Sequence, residues 1–386
     1  MKKSVKIGDI LTISRGASPR PISKYITTNP DGINWIKIGD VEPNSFYITK
    51  TEEKITSEGA TKSRLVKEGD FILSNSMSFG RPYILKINGC VHDGWLILSD
   101  YEETLVSSYL YYLLRSPVVQ SQFDGSANGS TVRNLNSDIV RNVKVSIHTD
   151  KKVQKEISNR LDTIQSAIDN KKQQLSLLDE AVKSEFVEMF GEPHDNKTFP
   201  YKLVGEFTTV TSGGTPDRKK NEYWKNGTIP WVKTTELQNN EITEIEEFIT
   251  QKGLDESSAK IVPAGTLLIA MYGQGKTRGM TGYLGIEAST NQACACILPS
   301  TQINQKFLWY YFILSYDKLR DLAKGGNQPN LNGNMIKSFP VLWPPLELQN
   351  EYVRFVQQID KSKFVVKQQI TDLQELLDSK MQEYFS

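Results

Sequence analysis

Short segments of this chain contain residue types that could carry out chemistry, but none contains the full set that its reaction needs. Gly273-Gln274-Gly275-Lys276-Thr277 follows an apolar run as a phosphate-binding loop does, yet Ala270 occupies the place of that loop's first glycine. Trp343-Pro344-Pro345-Leu346 has the double proline of an amino-methyltransferase motif, with tryptophan where Asn or Asp would hold the target amine. Glu52-Glu53-Lys54 is only a short match to a nuclease centre. We therefore expect no nucleotide site and no catalytic centre in this chain.

The sulfur and imidazole side chains form no recognisable metal or disulfide pattern. The cysteines and histidines of the chain are Cys90, Cys294, Cys296, His92, His148 and His194. An odd number of cysteines with a Cys-x-Cys spacing fits neither a disulfide framework nor the usual zinc motif. The sequence therefore predicts a protein without disulfides and without a bound metal.

Charge and hydropathy set further limits. The 46 basic and 45 acidic residues give a net charge of +1, whereas nucleic-acid-binding domains often carry a larger positive excess. This balance argues mildly against a nucleic-acid binder without excluding one, because basic residues can gather on one face. No run of about 18 apolar residues suggests a membrane span, and Met1 to Lys6 lack the apolar stretch of a signal peptide. We expect a cytoplasmic protein.

Basic, amide and aromatic residues recur in stretches that predict loops, and these residue types suit DNA. Lysine and arginine bind phosphates, whereas arginine, asparagine and glutamine also bind base edges. In the first half the candidate DNA-binding residues are Arg15, Ser18, Arg20, Lys37, Asn75, Ser76, Arg81, Asn128 and Arg133. In the second half they are Arg218, Lys219, Lys220, Lys233, Tyr272, Gln274, Lys276, Arg278, Asn327, Gln328 and Asn330. The alternative for any one of them is an ordinary solvated loop, and Trp35 and Trp231 are expected in the core.

The elements that position these loops occur twice. Segments of the first half return in the second half in the same order, at an offset of about 196 residues, as from Trp35 to Trp231. The matched pairs are Lys6–Ile10 with Lys202–Phe207, Ser14–Pro19 with Thr211–Pro216, Ile33–Lys37 with Ile229–Lys233, Arg64–Leu73 with Lys260–Ile269, Leu110–Leu114 with Trp309–Ile313, Asn134–Asn136 with Asn330–Asn332, and Lys172–Leu175 with Lys367–Ile370. Such a repeat predicts one fold used twice. The weak identity between the copies predicts two different surfaces, although a duplication without functional meaning would also leave this pattern.

Each half begins with a region that predicts an α+β domain. Short runs rich in β-branched and aromatic residues, such as Phe71–Leu73, Trp95–Leu98 and Leu267–Ala270, predict strands. One helix is predicted near residues 105–115 and its counterpart near 305–315. No Ser/His/Asp set recurs in both halves, which favours a binding role over catalysis.

Each half ends with a long helix, because residues 150–190 contain neither proline nor glycine and apolar residues alternate at spacings of three and four. The first seam is Val153, Ile157, Leu161, Ile164, Ile168, Leu175, Leu178, Val182, Phe186 and Met189, and the second is Tyr352, Val356, Ile359, Val366, Ile370, Leu373, Leu377, Met381 and Tyr384, with Lys171 and Lys363 as interruptions. Each helix of roughly 40 residues would be roughly 60 Å long. Antiparallel pairing of the two copies would bury both seams; another chain, or the helix's own domain, would be the alternative partner. The predicted domains are residues 1–148 and 192–345, and the predicted helices are residues 149–191 and 346–386.

In their order and duplication, these features resemble the specificity subunit of type I restriction-modification systems. The segments that carry the resemblance are Ser212–Pro216 with Trp231, Lys260–Ala270, Thr290–Gln292, Pro344–Leu346 and Phe186–Gly191. The resemblance covers essentially the whole chain. The first half departs from the pattern at Ala17–Pro19, which replaces a Gly-Thr-Pro loop, and at His92-Asp93, which stands in the place of Asn291-Gln292.

The resemblance implies a non-catalytic DNA-recognition protein with an α+β fold. Two similar target-recognition domains would be separated by two long antiparallel coiled-coil helices in a pseudo-two-fold repeat. Each domain would recognise one half of an asymmetric, bipartite site in double-stranded DNA. The helix pair would set the spacer and dock two methylation subunits, and restriction subunits would join the full complex. The chain would hold no cofactor of its own, since S-adenosylmethionine, ATP and magnesium would belong to the partner subunits.

Alternatives stay open at this point. The specificity chain of a type IIB or related restriction system would share the same features. A stand-alone DNA-acting enzyme would turn over DNA without partners. A coiled-coil scaffold without DNA contact would show no salt-dependent DNA binding.

Overall fold

The computed structural model describes residues 1–41, 45–75, 80–127, 135–273, 275–323 and 330–386, with Ser126 and Ala127 described by their backbone alone. The chain divides into two compact units. Unit 1 comprises residues 1–173 and 367–386, and unit 2 comprises residues 174–366. Each unit therefore contains one α+β region together with parts of both long helices.

The elements of unit 1 match the predicted pattern of short strands followed by helices. Its strands are β1 (Lys2–Lys6), β2 (Thr12–Arg15), β3 (Ile26–Thr27), β4 (Ile33–Ile36), β5 (Tyr47–Ile48), β6 (Glu53–Ile55), β7 (Arg64–Val66), β8 (Phe71–Ser74), β9 (Pro82–Leu85), β10 (Gly89–Val91), β11 (Trp95–Ser99) and β12 (Lys144–His148). Its helices are α1 (Ser57–Thr61), α2 (Ser107–Arg115), α3 (Pro117–Ala127) and α4 (Ser137–Asn142), followed by the long helix α5 (Lys151–Phe190), which continues into unit 2. The helix predicted near residues 105–115 is confirmed.

Two five-stranded sheets form the frame of unit 1. Their strand orders are β3-β6-β4-β10-β7 and β2-β11-β8-β9-β5, and β1 pairs separately with β12. Strand β8 lies in the middle of the second sheet, antiparallel to both neighbours, and each of its residues is buried. Burial on both faces explains why Phe71–Leu73 is a continuous apolar run rather than an alternating one. Helix α2 covers this sheet, with Tyr109 to Leu114 all buried in the same core.

Unit 2 repeats these elements. Its strands are β13 (Tyr201–Leu203), β14 (Val210–Ser212), β15 (Ile229–Val232), β16 (Asn240–Ile242), β17 (Phe248–Ile249), β18 (Ile261–Val262), β19 (Leu267–Ala270), β20 (Thr281–Leu284), β21 (Ala288–Thr290), β22 (Cys294–Ile297) and β23 (Pro340–Leu342). Its helices are α6 (Val204–Phe207), α7 (Gln251–Asp255), α8 (Gln305–Leu314), α9 (Tyr316–Asp321) and α10 (Gly333–Lys337), followed by the long helix α11 (Leu346–Phe385), whose last part lies in unit 1.

The strand order of unit 2 follows that of unit 1. One sheet has the order β14-β22-β19-β20-β16, and the other has the order β17-β15-β21-β18, the counterpart of β6-β4-β10-β7. In unit 1 strand β4 pairs in parallel with β10, and in unit 2 strand β15 pairs in parallel with β21. The predicted repeat of one α+β fold is therefore confirmed.

One detail of the predicted repeat alignment is wrong. The sequence match set Tyr112 against Tyr311, but the structure equates Tyr112 with Tyr310. Gln154 and Gln349 accept from the backbone of Val106 and Asn304, which precede the two helices, and Tyr112 and Tyr310 each follow six residues later. Tyr112 donates to Asp162 at 2.6 Å, and Tyr310 donates to Asp360. A run of consecutive aromatic residues fits equally well in either register by residue type, and only the contact at the start of each helix distinguishes them.

The long helices pack antiparallel within each unit. In unit 1 the first part of α5 packs against the last part of α11, through residues such as Leu161, Ile168 and Leu377. In unit 2 the last part of α5 packs against the first part of α11, through residues such as Phe186 and Tyr352. The predicted seam residues are all buried or half-buried. The interruption at Lys363 is tolerated because its ammonium group lies 2.6 Å from the carboxylate of Asp179.

A buried glutamine attaches the start of each long helix to its domain. In α5, Gln154 accepts a hydrogen bond from the Val106 backbone at 2.8 Å, and in α11, Gln349 accepts one from the Asn304 backbone at 2.9 Å. Gly191 ends α5 in the left-handed conformation, with φ of +77° and its N–H donating to Val187. Among the described residues, no helix is long and apolar enough to cross a membrane.

Candidate nucleic-acid interface

In unit 1, predicted DNA-binding residues from separate parts of the sequence converge on Asp93. Ser18 Oγ donates to one carboxylate oxygen at 2.8 Å, and the Arg20 guanidinium donates to the other at 3.2 Å. The Asp93 carbonyl accepts from Arg15 Nε at 3.2 Å and from Asn75 Nδ2 at 3.0 Å. We call Arg15, Ser18, Arg20, Asn75 and Asp93 the Asp93 cluster. It presents two exposed guanidinium groups held by one loop.

The strand pairing of unit 1 explains this convergence. Arg15 ends strand β2 and pairs with Leu96 of β11, while Asn75 follows β8 on the other side of β11. Asp93 lies in the loop that leads into β11. The loop after β2 passes so close to this segment that a side chain at Gly16 would lie 2.1 Å from the His92 carbonyl. Only glycine permits this approach without movement of the backbone.

The electrostatics of the Asp93 cluster keep the carboxylate charged. The hydrogen bond from Ser18 and the nearby Arg20 guanidinium lower the pKa of Asp93 below its usual range. His92 is different, because burial lowers its pKa and Nδ1 accepts from the Gly94 backbone at 2.8 Å. His92 is therefore a neutral, half-buried ring next to a charged surface.

A lysine–glutamate pair lies at the end of β4. The Lys37 ammonium group is 2.8 Å from Glu53, whose hydrogen bond raises the pKa of Lys37. The backbone N–H of Lys37 donates to Asp40 at 2.6 Å, which fixes the turn that carries the side chain. Trp35, two residues earlier, is buried, as predicted for a core residue.

In unit 2, the predicted residues Arg218 and Lys233 share one carboxylate. The Arg218 guanidinium donates to Glu247 at 2.5 Å, and the Lys233 ammonium lies 3.0 Å from the same carboxylate. The guanidinium carbon also lies over two indole rings, 3.7 Å from the centroid of Trp224 and 4.7 Å from that of Trp231. We call these five residues the Arg218 cluster. Charge pairing and cation–π stacking hold the arginine plane in one orientation.

The charges of the Arg218 cluster stabilise one another. Burial raises the pKa of Glu247, but hydrogen bonds from Arg218 and Lys233 outweigh this effect and leave the pKa below its ordinary value. The same contact with Glu247, together with Glu246, raises the pKa of Lys233. Trp231 is buried and donates from Nε1 to the Gly214 carbonyl at 2.9 Å, so its ring helps to fix the loop at Gly214.

The two clusters share a frame and differ in where the arginine is held. Thr215 donates to Gln292 in unit 2, as Ser18 does to Asp93 in unit 1. The Lys37–Glu53 pair likewise corresponds to Lys233 and Glu247. In unit 1 the loop arginine, Arg20, pairs with the carboxylate at the Gln292 position, whereas in unit 2 the loop arginine, Arg218, pairs with the glutamate beside the lysine. The two units therefore hold the guanidinium of their loop arginine at different positions.

The other predicted residues do not all join these clusters. Lys219 is exposed, Lys220 donates to the Tyr223 hydroxyl at 2.7 Å, and the Tyr272 ring is 41% exposed. Lys276, Arg278 and Asn330 lie in loops, where the Lys276 and Arg278 carbonyls accept from Tyr316 and Arg320. Arg81 is exposed at the start of β9, and its charge acts on Tyr111 of helix α2. Ser76, Asn128, Arg133, Gln274, Asn327 and Gln328 lie outside the described residues.

The sequence prediction missed the acidic members of both clusters. It selected cations and amides for their affinity to DNA, and it therefore passed over Asp93 and Glu247. The departure of His92-Asp93 from Asn291-Gln292 was visible in the sequence, and a carboxylate among predicted DNA ligands was the available signal. Within the described ranges, no group of His, Cys, Asp and Glu side chains is arranged to hold a metal ion, and all three cysteines are buried.

Comparison with known proteins places this geometry in a family. The family described as type I restriction modification DNA specificity domain matches residues 2–180 and 196–375. The type I restriction enzyme MjaIX specificity subunit of Methanocaldococcus jannaschii is 23% identical over 399 residues, covering 97% of this chain and 90% of that protein. The EcoR124I/EcoR124II specificity subunit of Escherichia coli is 29% identical over 165 residues, covering 42% of this chain and 40% of that protein.

Solved structures show the same fold. The S subunit of a type I restriction-modification system from M. genitalium superposes with a TM-score of 0.54 at 14% identity, covering 100% of this chain and 96% of that chain. A chain from a study of complex assembly and conformational transition of the type I R-M system superposes with a TM-score of 0.64 at 14% identity, covering 99% of this chain and 97% of that chain.

Proposed function

The chain belongs to the type I restriction-modification DNA specificity family, and on that premise we propose that its two units recognise the two halves of a bipartite, asymmetric site in double-stranded DNA. DNA sequence specificity is the role of this family. The proposal that each unit recognises its own half-site rests on the Asp93 cluster and the Arg218 cluster. They stand on the same strands of a repeated fold, but their arginines are held by carboxylates at different positions.

The chemistry of each cluster suits DNA. A guanidinium whose orientation is fixed by a carboxylate or an indole ring can donate two parallel hydrogen bonds to one base edge, usually guanine. The lysine beside it suits a phosphate, which carries no sequence information. Two differently aimed arginines on one frame thus favour two unrelated half-sites rather than a palindrome.

The near-neutral charge of the chain bears on how it binds. Several predicted DNA-binding cations are paired with carboxylates of the same unit, notably Arg20, Lys37, Arg218 and Lys233. We expect weak, salt-sensitive binding by the isolated chain, because few cations are free to release counterions from DNA. Partner subunits would then supply the remaining contacts.

The partners are part of the proposal. The antiparallel helix pair would dock two methylation subunits and set the spacer between the half-sites, and restriction subunits would join the full complex. S-adenosylmethionine would be bound by the methylation subunits, and ATP and magnesium would be used by the restriction subunits. This chain would contribute recognition and no catalysis.

A domain exchange tests the proposal. Residues 1–145 are replaced by the corresponding region of another specificity subunit, the methylation complex is reconstituted, and the methylated motif is determined by sequencing. One half-site should change while the other half-site and the spacer stay constant. A change of both half-sites would show that the units do not recognise DNA independently. Methylation by the chain without partners would show that it is an enzyme.

A further inference from the structure

A cavity of about 540 Å³ in unit 1 is lined by residues that suit an organic cation. It lies between β5, β9, helix α2 and the first part of α5, away from the Asp93 cluster. Aromatic rings of Tyr47 and Tyr111 line it, together with the carboxylates of Asp162 and Asp169. Both aspartates are exposed on α5, so the cavity opens to the surface.

The two carboxylates have no charged partner within unit 1. Asp162 accepts from the Tyr112 hydroxyl at 2.6 Å, and Asp169 accepts from Gln165 at 3.1 Å. Neither forms an ion pair with any residue that the structure describes. Lys86 and Arg115 lie over rings of the cavity: Lys86 is 4.8 Å from the Tyr47 centroid, and Arg115 is 5.1 Å from the Tyr111 centroid.

The repeat shows what occupies the equivalent place in unit 2. Strand pairing equates Tyr47 with Glu241 and Ile84 with Tyr283. The Lys306 ammonium lies 3.0 Å from Glu241 and 5.3 Å from the Tyr283 centroid.

Unit 1 has neither member of the Lys306–Glu241 pair. Gln154 and Gln349 accept from the backbone of Val106 and Asn304, and this match equates Ser108 with Lys306. Tyr47 stands in the place of Glu241. Ser108 lines the cavity together with Asp162 and Asp169. Serine in place of a long cationic side chain leaves space in the cavity and removes a positive charge from it.

We propose that this cavity binds a basic side chain of a partner protein, with its charged end at Asp162 and its apolar stem between Tyr47 and Tyr111. Arginine fits best, because its planar guanidinium pairs with a carboxylate and stacks on aromatic rings at the same time. A side chain rather than a free amine is the occupant, since a side chain fills the equivalent place in unit 2 and the carboxylates face the open surface. The inference does not depend on the proposed DNA function.

Titration of the full chain with small probes, followed by saturation-transfer NMR, tests this site. The probes are the capped tripeptide acetyl-Gly-Arg-Gly-amide, its leucine analogue and agmatine. The arginine peptide should bind saturably in about the millimolar range, and the leucine peptide should not. Ser108→Lys copies the unit 2 residue and should weaken binding by about tenfold or more, because its ammonium occupies the charged end of the cavity. Asp162→Asn should have the same effect.

Matched variants make each outcome decisive. Lys306→Ser in unit 2 should leave the binding of the arginine peptide unchanged. Should Asp162→Asn unfold, Ser108→Lys still tests the site, since unit 2 folds with lysine at that position. Equal binding by wild type and Ser108→Lys, or no saturable binding of either cationic probe, would overturn the proposal. Binding of agmatine without the arginine peptide would overturn the assignment to a protein side chain.

Discussion

Arg218 donates to Glu247 at 2.5 Å, and the same carboxylate lies 3.0 Å from Lys233. One negative charge thus compensates two cations that the sequence predicts to contact DNA. The proposed function therefore gives Glu247 two effects on recognition. It would orient the guanidinium, and it would lower the positive charge that the surface offers to phosphates.

Glu247→Gln should separate these two effects. Removal of the charge leaves Arg218 and Lys233 uncompensated, so affinity for random DNA should rise and its salt dependence should become steeper. Discrimination at the second half-site should fall, because the arginine is less firmly oriented. Fluorescence anisotropy at several salt concentrations, with specific and random duplexes, measures both. Glu244→Gln makes the same charge change at an exposed position, and an identical response from this control would refute a specific role for Glu247.

Asp93→Asn should affect the first half-site alone. The amide retains an acceptor for Ser18 but loses the charge that holds Arg20, so the preference at one base position should weaken by about tenfold. Competition binding with duplexes altered in one half-site at a time gives the measurement. Asp31→Asn, an exposed change in the same unit, should leave both half-sites unaffected. Loss of preference at the second half-site in Asp93→Asn would contradict the proposed independence of the units.

The lowered pKa of Glu247 gives a defined pH dependence. A carboxylate with a folded-state pKa below its value of about 4.3 in the unfolded chain stabilises the fold fully above that pH. The stabilisation is lost as the pH falls through the lower folded-state pKa. The urea midpoint of wild type should therefore fall more steeply than that of Glu247→Gln in this acidic window, and the two should converge below it. Parallel curves from pH 7 to pH 3 would show that the pair does not stabilise the folded state.

Tyr112→Phe and Tyr310→Phe should each destabilise the chain. Burial and the aspartate partners raise the pKa of both hydroxyls, which therefore remain protonated donors. Loss of the bond should cost about 1 kcal/mol in each case, since the same contact joins the domain to a long helix in both units. Urea denaturation measures the change. Tyr384→Phe is the control, because its hydroxyl is 3.5 Å from an exposed arginine, and it should change stability little.

The long helices predict how the spacer responds to insertion. Four residues inserted in α5 beside Lys171, with four inserted in α11 beside Val366, add about one turn and roughly 6 Å. This is less than two base-pair rises of about 3.4 Å, so the spacer should lengthen while both half-sites stay the same. Sequencing of the methylated motif checks this. An altered half-site would show that the helices do more than set the spacing.

The repeat, the strands and the long helices could be predicted from the sequence because their signals are local and redundant. Apolar residues spaced three and four apart predict an apolar seam along α5 without any knowledge of its packing partner. The continuous apolar run of β8 likewise predicts a buried strand without any knowledge of its neighbours. The predicted repeat alignment was wrong at Tyr112 because consecutive aromatic residues match in more than one alignment. Its partner, Asp162, is 50 residues away, and residue type alone does not identify such a partner.

The clusters depended on tertiary structure. Asp93 and Asn75 meet because β11 pairs with β8, and Glu247 reaches Lys233 because β17 pairs with β15. The sequence determined which cations stand in loops of a duplicated frame. Only the fold decided which carboxylate each cation faces, because ion pairing and ring stacking depend on separations of a few ångströms between segments that are distant along the chain.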